Sequence, residues 1–327
     1  MADLSVRYLG LDLRNPFVAS SSEITGRLNG IRQCADAGAG AVVLESLFEE
    51  QINAELGGAA GAGGSAFPEE AEVYLRELGK KHAPDKYLKL IEDAKEATGI
   101  PIIASVNSVS TRWWLEFARQ IESAGADALE LNIALMPISL NESSAEIERH
   151  TCSIVRDVRS RTNLPIAVKI GPYFTALPSL VQSLVEAGAD SIVLFNRFYQ
   201  LDIDPEGLKP LPGYQYSTPH ELYMPLRWTS ILAPHISCEF SLSTGVHSGL
   251  DAAKAIVAGA RVVQIASVLY TKKIRYLATM IGELEQWLDA QGYSSVESAR
   301  GALADSGNYR PEELERIQYI KALTRAS

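Results

Sequence analysis

One short phrase, repeated four times, constrains this chain more than any other feature. It reads Ala37-Gly38-Ala39 ahead of Ala41-Val42-Val43-Leu44, then Ala124-Gly125-Ala126 ahead of Ala128-Leu129-Glu130-Leu131. It returns as Ala187-Gly188-Ala189 ahead of Ser191-Ile192-Val193-Leu194, and as Ala258-Gly259-Ala260 ahead of Val262-Val263-Gln264-Ile265. Each copy reads as the end of a helix, a glycine free to turn left-handed beyond it, and a short buried strand that starts almost at once. Short connections of this kind, feeding apolar strands, mark a parallel sheet built from β–α units.

Further strands fill the gaps. Pro16-Phe17-Val18-Ala19 is the first. Pro101-Ile102-Ile103-Ala104-Ser105 and Pro165-Ile166-Ala167-Val168-Lys169 each place proline at the strand entry, where a missing N–H matters least. Ile236-Ser237-Cys238-Glu239-Phe240 is the last and weakest. Eight strands alternating with helical segments predict an α/β fold closed as a (β/α)8 TIM barrel. The alternative, an open Rossmann-type sheet, lacks a GxGxxG turn after the first strand. Val6 to Arg14, with Gly10 near its centre, reads as an N-terminal β-hairpin placed to plug the barrel bottom. Residues from about 283 to 327 read as a charged helical extension packed outside, ending in an extra C-terminal helix over Pro311 to Arg325. No linker divides the chain, so residues 1–327 read as one domain.

Composition narrows the function. The formal net charge is −10 and no basic stretch stands out, which argues against nucleic acid as a partner. No run of 18 apolar residues is present, so no membrane span is expected. Cys34, Cys152 and Cys238 lie far apart, and no CxxC pair or His/Cys cluster suggests a metal. Cys34 and Cys152 fall on expected helices and read as packing residues. Sparse cysteine and an N-terminus without a leader pattern point to the cytoplasm.

In a barrel of this kind, chemistry sits at the C-terminal ends of the strands. That rule selects Ser20, Ser21 and Ser22, then Glu45 and Ser46, Ser105 and Asn107, Glu130 and Asn132, Lys169, Asn196 and Arg197. It adds Ser243, Thr244 and Gly245 after strand seven, and Ala266 and Ser267 after strand eight. The rim is rich in amides and hydroxyls. It offers neither the paired acids of a glycosidase nor a metal cluster. The run Ser243-Thr244-Gly245-Val246-His247-Ser248-Gly249, with a helix starting near Leu250, reads as a phosphate-holding turn. His247 reads as a turn residue rather than a catalyst. Lys169 stands in an otherwise apolar core strand, which favours a functional role over a lysine that merely reaches for solvent.

These motifs resemble those of the dihydroorotate dehydrogenase family. Glu130-Leu131-Asn132-Ile133 is similar to its strand-four motif, and Ala167-Val168-Lys169-Ile170-Gly171-Pro172-Tyr173-Phe174 to its strand-five motif. Ile203-Asp204-Pro205-Glu206 and Pro225-Leu226-Arg227-Trp228 resemble its insert after strand six. Ser243 through Gly249 to Asp251-Ala252, and Gln264-Ile265-Ala266-Ser267, resemble its two phosphate turns. The resemblance runs in order along nearly the whole chain. It implies flavin mononucleotide (FMN) on the barrel rim, lined by Ser20, Ser21, Asn107, Asn132, Lys169, Ser243, Thr244, Gly245, Gly249, Ala266 and Ser267. It implies oxidation of dihydroorotate to orotate in pyrimidine biosynthesis, with hydride passing to flavin N5. It implies substrate contacts at Asn132, Asn196 and Arg197, and a soluble homodimer.

The departures from that pattern are equally specific. The position of the family's cysteine or serine base is Leu135, which cannot accept a proton. Ile138 replaces an asparagine, and Glu45 replaces a lysine that reaches flavin and substrate. Gly57 to Gly64 reads as a glycine-rich lid. A replacement base must then come from Ser139, Ser143 or Glu45. Exchanging lysine for Glu45 moves the charge by two units and disfavours an anionic substrate unless Arg197 compensates. Alternative readings are a flavoprotein acting on another substrate, a non-catalytic flavin-binding component of a complex, and a flavin-free lyase acting on phosphorylated sugars.

Overall fold

The computed structural model describes residues 1–48, 84–107, 114–135, 138–197, 200–213, 215–306, 319–321 and 323–324. The chain opens with a hairpin, β1 (Val6–Tyr8) antiparallel to β2 (Leu11–Leu13). Its two-residue turn, Leu9-Gly10, has both φ angles positive, at 53° and 73°, the geometry that matches strand twist in tight hairpins. The barrel strands follow: β3 (Phe17–Ala19), β4 (Ala41–Val43), β5 (Leu47–Phe48), β6 (Ile102–Asn107), β7 (Ala128–Ile133), β8 (Ile166–Ile170) and β9 (Ser191–Leu194). A second antiparallel hairpin, β10 (Leu201–Asp204) and β11 (Lys209–Pro212), interrupts the pattern. Then β12 (Glu239–Ser243) and β13 (Val262–Ile265) complete the ring.

All ring pairings are parallel, and the circle closes where β13 meets β3 and β4 meets β6. The eight-stranded barrel and the N-terminal hairpin are as the sequence led us to expect. The strands are apolar on both faces because the barrel interior and the helical layer bury both. The four glycines of the repeated phrase are the left-handed residues past their helices, with φ of 103°, 90°, 109° and 114° at Gly38, Gly125, Gly188 and Gly259. Helix faces follow the same logic. Leu177–Glu186 buries Leu180, Val181 and Leu184, spaced three and four apart.

The hairpin caps the N-terminal end of the ring. Ser191 Oγ donates to the buried Tyr8 hydroxyl at 3.0 Å, and the Leu9 N–H donates to Glu239 Oε2 at 2.6 Å. Ser191 and Glu239 are the first residues of their strands, so the plug sits opposite the rim where chemistry is expected.

Four expectations need correction or restriction. The strand foreseen at Ile236–Phe240 lies three residues later, as β12. The Ile236 N–H still bonds back to the Leu232 carbonyl, so it belongs to the exit turn of the helix Tyr223–Leu232. Buried Ser241 and Ser243 dilute the apolar signal of the real strand. The C-terminal helix begins at Tyr276 rather than near 283, and runs to Gln291. The helix expected over Pro311 to Arg325 lies mostly outside the described residues, although 319–321 and 323–324 are helical. Gly57 to Gly64 lies wholly outside them. Among the described residues, no helix is long and apolar enough to cross a membrane.

The second barrel strand carries a break that shapes the rim. Val43 pairs with Ile103, but Leu47 pairs with Val106. One more residue is thus inserted on this strand than on its neighbour, a bulge that re-aims the side chains of Glu45 and Ser46.

Candidate active site

A cavity opens at the C-terminal ends of the barrel strands. Ten of the residues selected from sequence line it: Ser20, Ser21, Lys169, Asn196, Arg197, Ser243, Thr244, Gly245, Ala266 and Ser267. Phe195, Ser217, Val246, Gln264 and Ile265 complete the wall. A larger hollow lies at the opposite end, beside the hairpin, with Arg261 and Arg300 in its lining. We place the chemistry at the rim, where hydroxyls, amides and a buried lysine converge on one space.

The floor is a buried polar chain drawn from four strands. Lys169 Nζ donates to Gln264 Oε1 at 3.0 Å and to Ser20 Oγ at 3.2 Å. Ser20 Oγ in turn donates to Gln264 Oε1 at 3.1 Å. Gln264 Nε2 donates to Glu130 Oε2 at 2.5 Å. Glu130 is fully buried, and its Oε1 has no hydrogen-bond partner but lies 3.5 Å from Lys169 Nζ. A carboxylate only accepts and an ammonium only donates, so the amide between them has a single possible orientation. The buried positive charge is thereby neutralised directly beneath the cavity. Sequence reading placed Glu130 on the rim but omitted Gln264. A glutamine in Val262-Val263-Gln264-Ile265, as out of place as Lys169, was the available signal.

Beside this floor, Asn196 Nδ2 donates to Asn132 Oδ1 at 2.8 Å. Asn107 pairs in register with Asn132, and Asn132 with Lys169, so these three lie at one level on adjacent strands. Leu135 is half-buried against the core.

The replacement bases do not reach this space. Ser139 is exposed, and its Oγ accepts from the Asn141 N–H at 3.3 Å. Ser143 caps the helix Ser144–Arg159 in a reciprocal box with Glu146, and those hydrogen bonds hold the Glu146 carboxyl below its usual range. Glu45 turns away. Its carboxylate packs over Gly26, where any Cβ would collide with it, and it lines a separate hollow with Lys86, Tyr87 and Lys89. Ser46 lines the same hollow, while its Oγ lies 3.0 Å from that of Ser21 and 2.8 Å from that of Ser105. Nor does Arg197 offer a free charge. It forms a two-pronged pair with Glu221, Nε to Oε2 at 2.9 Å and Nη2 to Oε1 at 3.2 Å. Burial pushes the Glu221 carboxyl up, but the hydrogen bonds from Arg197 and Thr218 and the Arg197 charge carry it below its usual value.

At the far end of the cavity, Thr244 and Gly245 both take positive φ, at 81° and 80°. The turn they form carries the chain against Glu221 and Leu222, whose backbone a Cβ on Gly245 would strike. Gly249 has a different duty from the one expected. A Cβ there would strike Glu283 and the backbone of the helix Tyr276–Gln291, and the Gly249 N–H donates to Glu283 Oε2 at 2.6 Å. It makes a packing contact and does not line the cavity.

A segment running from Ser217 to Leu222 forms the outer wall. The Ser217 N–H donates to Ser267 Oγ at 2.9 Å, and Ser217 Oγ lies 3.2 Å from His247 Nε2. The His247 N–H donates to Asp251 Oδ2 at 3.1 Å. Burial lowers the His247 pKa below its ordinary value, against the opposing pull of Asp251, and so favours the neutral imidazole.

Comparison with known proteins gives a consistent answer. No family model matches the chain. It is 25% identical over 310 residues to the catalytic subunit of dihydroorotate dehydrogenase B (NAD(+)) of Methanosarcina acetivorans, covering 89% of this chain and 93% of that protein. It is 24% identical over 315 residues to a putative dihydroorotate dehydrogenase A (fumarate) of Aeropyrum pernix, covering 91% and 97%. It is also 26% identical over 325 residues to the chloroplastic dihydropyrimidine dehydrogenase (NADP(+)) of Arabidopsis thaliana, covering 91% and 76%. Three relatives of two related activities agree over most of the chain's length: the chain is similar to dihydroorotate dehydrogenases and dihydropyrimidine dehydrogenase, from which it has diverged widely.

Proposed function

We propose that this protein is an FMN-dependent oxidoreductase of the dihydroorotate dehydrogenase kind. Its relatives are dehydrogenases of dihydroorotate and dihydropyrimidine by name. The observation that carries the reading to this chain is the donor set of the rim cavity. Six hydroxyl side chains, the amides of Asn196 and Gln264, the Arg197 guanidinium and one buried ammonium line it, and among the described residues no carboxylate does. That chemistry fits a long, acceptor-rich ligand that ends in an anion. In this reading Lys169, Ser20 and Gln264 hold the ring system, and the turns at Ser243-Thr244-Gly245 and Ala266-Ser267 hold the phosphate. The flavin supplies the hydride acceptor when bound.

The Asn132–Asn196 pair stands beside Lys169 and presents amides to the substrate. Such a pair reads a compound with its own amide or imide groups, as a dihydropyrimidine has. A specific observation favours a substrate other than dihydroorotate. Glu45 faces another hollow and brings no cation, and with Leu135 at the base position the proton lost on oxidation of either kind of substrate would pass to solvent rather than to a side chain. Arg197 is already paired to Glu221, so it gives an added carboxylate little attraction. The leading reading is therefore a flavin enzyme whose oxidisable substrate is amide-bearing and carries no carboxylate.

A visible spectrum followed by anaerobic titration tests this. Flavin absorbance that bleaches with an uncharged dihydropyrimidine, and not with dihydroorotate, is the expected result. Bleaching by dihydroorotate restores the family's own reaction. A flavin that bleaches only with dithionite supports a non-catalytic flavin-binding role. No flavin absorbance after incubation with FMN overturns the cofactor assignment and leaves a flavin-free barrel enzyme such as a lyase.

A further inference from the structure

The segment that walls the far end of the cavity comes from neither phosphate turn. It follows the β10–β11 excursion and is held at three points. The Ser217 N–H bonds Ser267 Oγ, Glu221 pairs with Arg197, and Leu222 is buried against Gly245. Three strand-end elements, after β9, β12 and β13, thus hold one segment across the cavity mouth. Of that segment only Ser217 lines the cavity.

The environment of Ser217 is chemically uneven. Its N–H is engaged by Ser267. Its hydroxyl meets the ring nitrogen of a histidine whose burial favours the neutral form. A serine hydroxyl carries one proton and two lone pairs. If His247 Nε2 carries the ring proton, it donates to Ser217, and the Ser217 proton is left to point into the cavity. Among the described residues the lining at this end holds no unpaired cation, since Arg197 is tied to Glu221 and Lys272 lies outside the lining. An anion there depends on neutral donors, each of which counts for more when buried.

We propose that Ser217 is a direct phosphate ligand, and that His247 is the positioning residue that turns its hydroxyl toward the anion. The inference rests on the flavin reading and adds to it a donor from outside the two phosphate turns. The charged groups around His247 are Asp251, itself paired to Lys254, with Glu221 on the segment and Lys272 beyond the last strand. Because His247 N–H is pinned by Asp251 Oδ2, the ring has a fixed anchor on its backbone side.

The test compares FMN with riboflavin, which differ only in the phosphate, on the full-length apoprotein. A hydrogen bond to a charged group is worth roughly tenfold or more in affinity. Ser217→Ala is expected to weaken FMN about tenfold and to leave riboflavin unchanged. His247→Leu is expected to do the same. His247→Gln, which retains a side-chain N–H donor of similar reach, is expected to restore FMN binding. Equal weakening of both flavins by Ser217→Ala and His247→Leu, without rescue by His247→Gln, overturns the proposal and leaves the segment a mere wall. If Ser217→Ala fails to fold, the two His247 variants decide alone. Wild-type protein that binds riboflavin and FMN equally also overturns it while sparing the flavin reading. Wild-type protein that binds neither removes the flavin reading itself.

Discussion

At the scale of single residues, the buried chain Lys169–Gln264–Glu130 is the feature with the sharpest energetic consequence. A lysine and a glutamate in a barrel interior survive only because each compensates the other. Glu130→Ala leaves a buried ammonium without its counter-charge and an amide without its acceptor. It is expected to lower unfolding free energy by about 3–5 kcal/mol, measured by denaturant titration at neutral pH. Glu130→Gln keeps the shape and one acceptor, and should cost less. Equal stability of Glu130→Ala and wild type would remove the ion pair from the account. Lys169 was legible in sequence because a charge in the apolar strand Ile166–Ile170 favours a functional role over a lysine that merely reaches for solvent. Gln264 stands out in its apolar strand in the same way, but its duty is set by Lys169, Ser20 and Glu130 on other strands, partners that sequence order does not bring together. The duty of Glu45 was illegible for another reason: strand alternation cannot foresee a bulge, and with one extra residue inserted neither Glu45 nor Ser46 lines the rim cavity. Glu45→Lys is therefore expected to change affinity for a carboxylate-bearing substrate analogue by less than about threefold, measured by titration of flavin fluorescence. A gain of tenfold would show that this side chain does reach the site.

At the scale of elements, the repeated Ala-Gly-Ala phrase made the barrel readable because each copy encodes one whole transition, from helix end to strand start. The rim turns are less readable. Gly245 and Gly249 look alike in Ser243–Gly249, yet they serve different neighbours. Gly245 lets the turn after β12 approach Leu222, and Gly249 lets one helix approach another. Sequence motifs record that a glycine is needed, but not which backbone comes close. Both positions reject a side chain for steric reasons, but only Gly245 has positive φ. Gly245→Ala is expected to destabilise the fold by about 1–3 kcal/mol through combined strain and collision. It should also weaken flavin binding, because the turn and the Ser217–Leu222 segment move together. Gly249→Ala should destabilise comparably while leaving flavin affinity near wild type in the folded fraction. Thermal melts with and without FMN separate the two. A ligand-induced rise in melting temperature that is lost in Gly249→Ala would return that residue to the binding site.

At the scale of the whole molecule, the barrel has two ends with opposite requirements. The rim must keep polar groups available to ligands, while the N-terminal end must be sealed. Sealing is the work of the hairpin, and it half-buries a carboxylate. Glu239 accepts the Leu9 N–H, and Arg261 Nε lies 3.9 Å from its Oε1. Burial raises the Glu239 pKa, partly offset by the Leu9 hydrogen bond and the Arg261 charge. The sign of the consequence follows from linkage. A folded-state pKa above the unfolded value means that the native state holds the proton more tightly. The stability this contributes is complete below the unfolded carboxyl pKa and is lost as pH rises through the folded value. The plug is thus tightest in mild acid and looser at neutral pH. Glu239→Gln keeps an acceptor for the Leu9 N–H without the charge. Relative to wild type, its melting temperature is expected to gain about 2 °C or more as pH rises from near 4.5 to 7. Parallel melting curves for the two proteins across that range would mean that the Glu239 charge does not govern the seal. The hairpin would then hold the barrel through Tyr8 and its apolar neighbours alone.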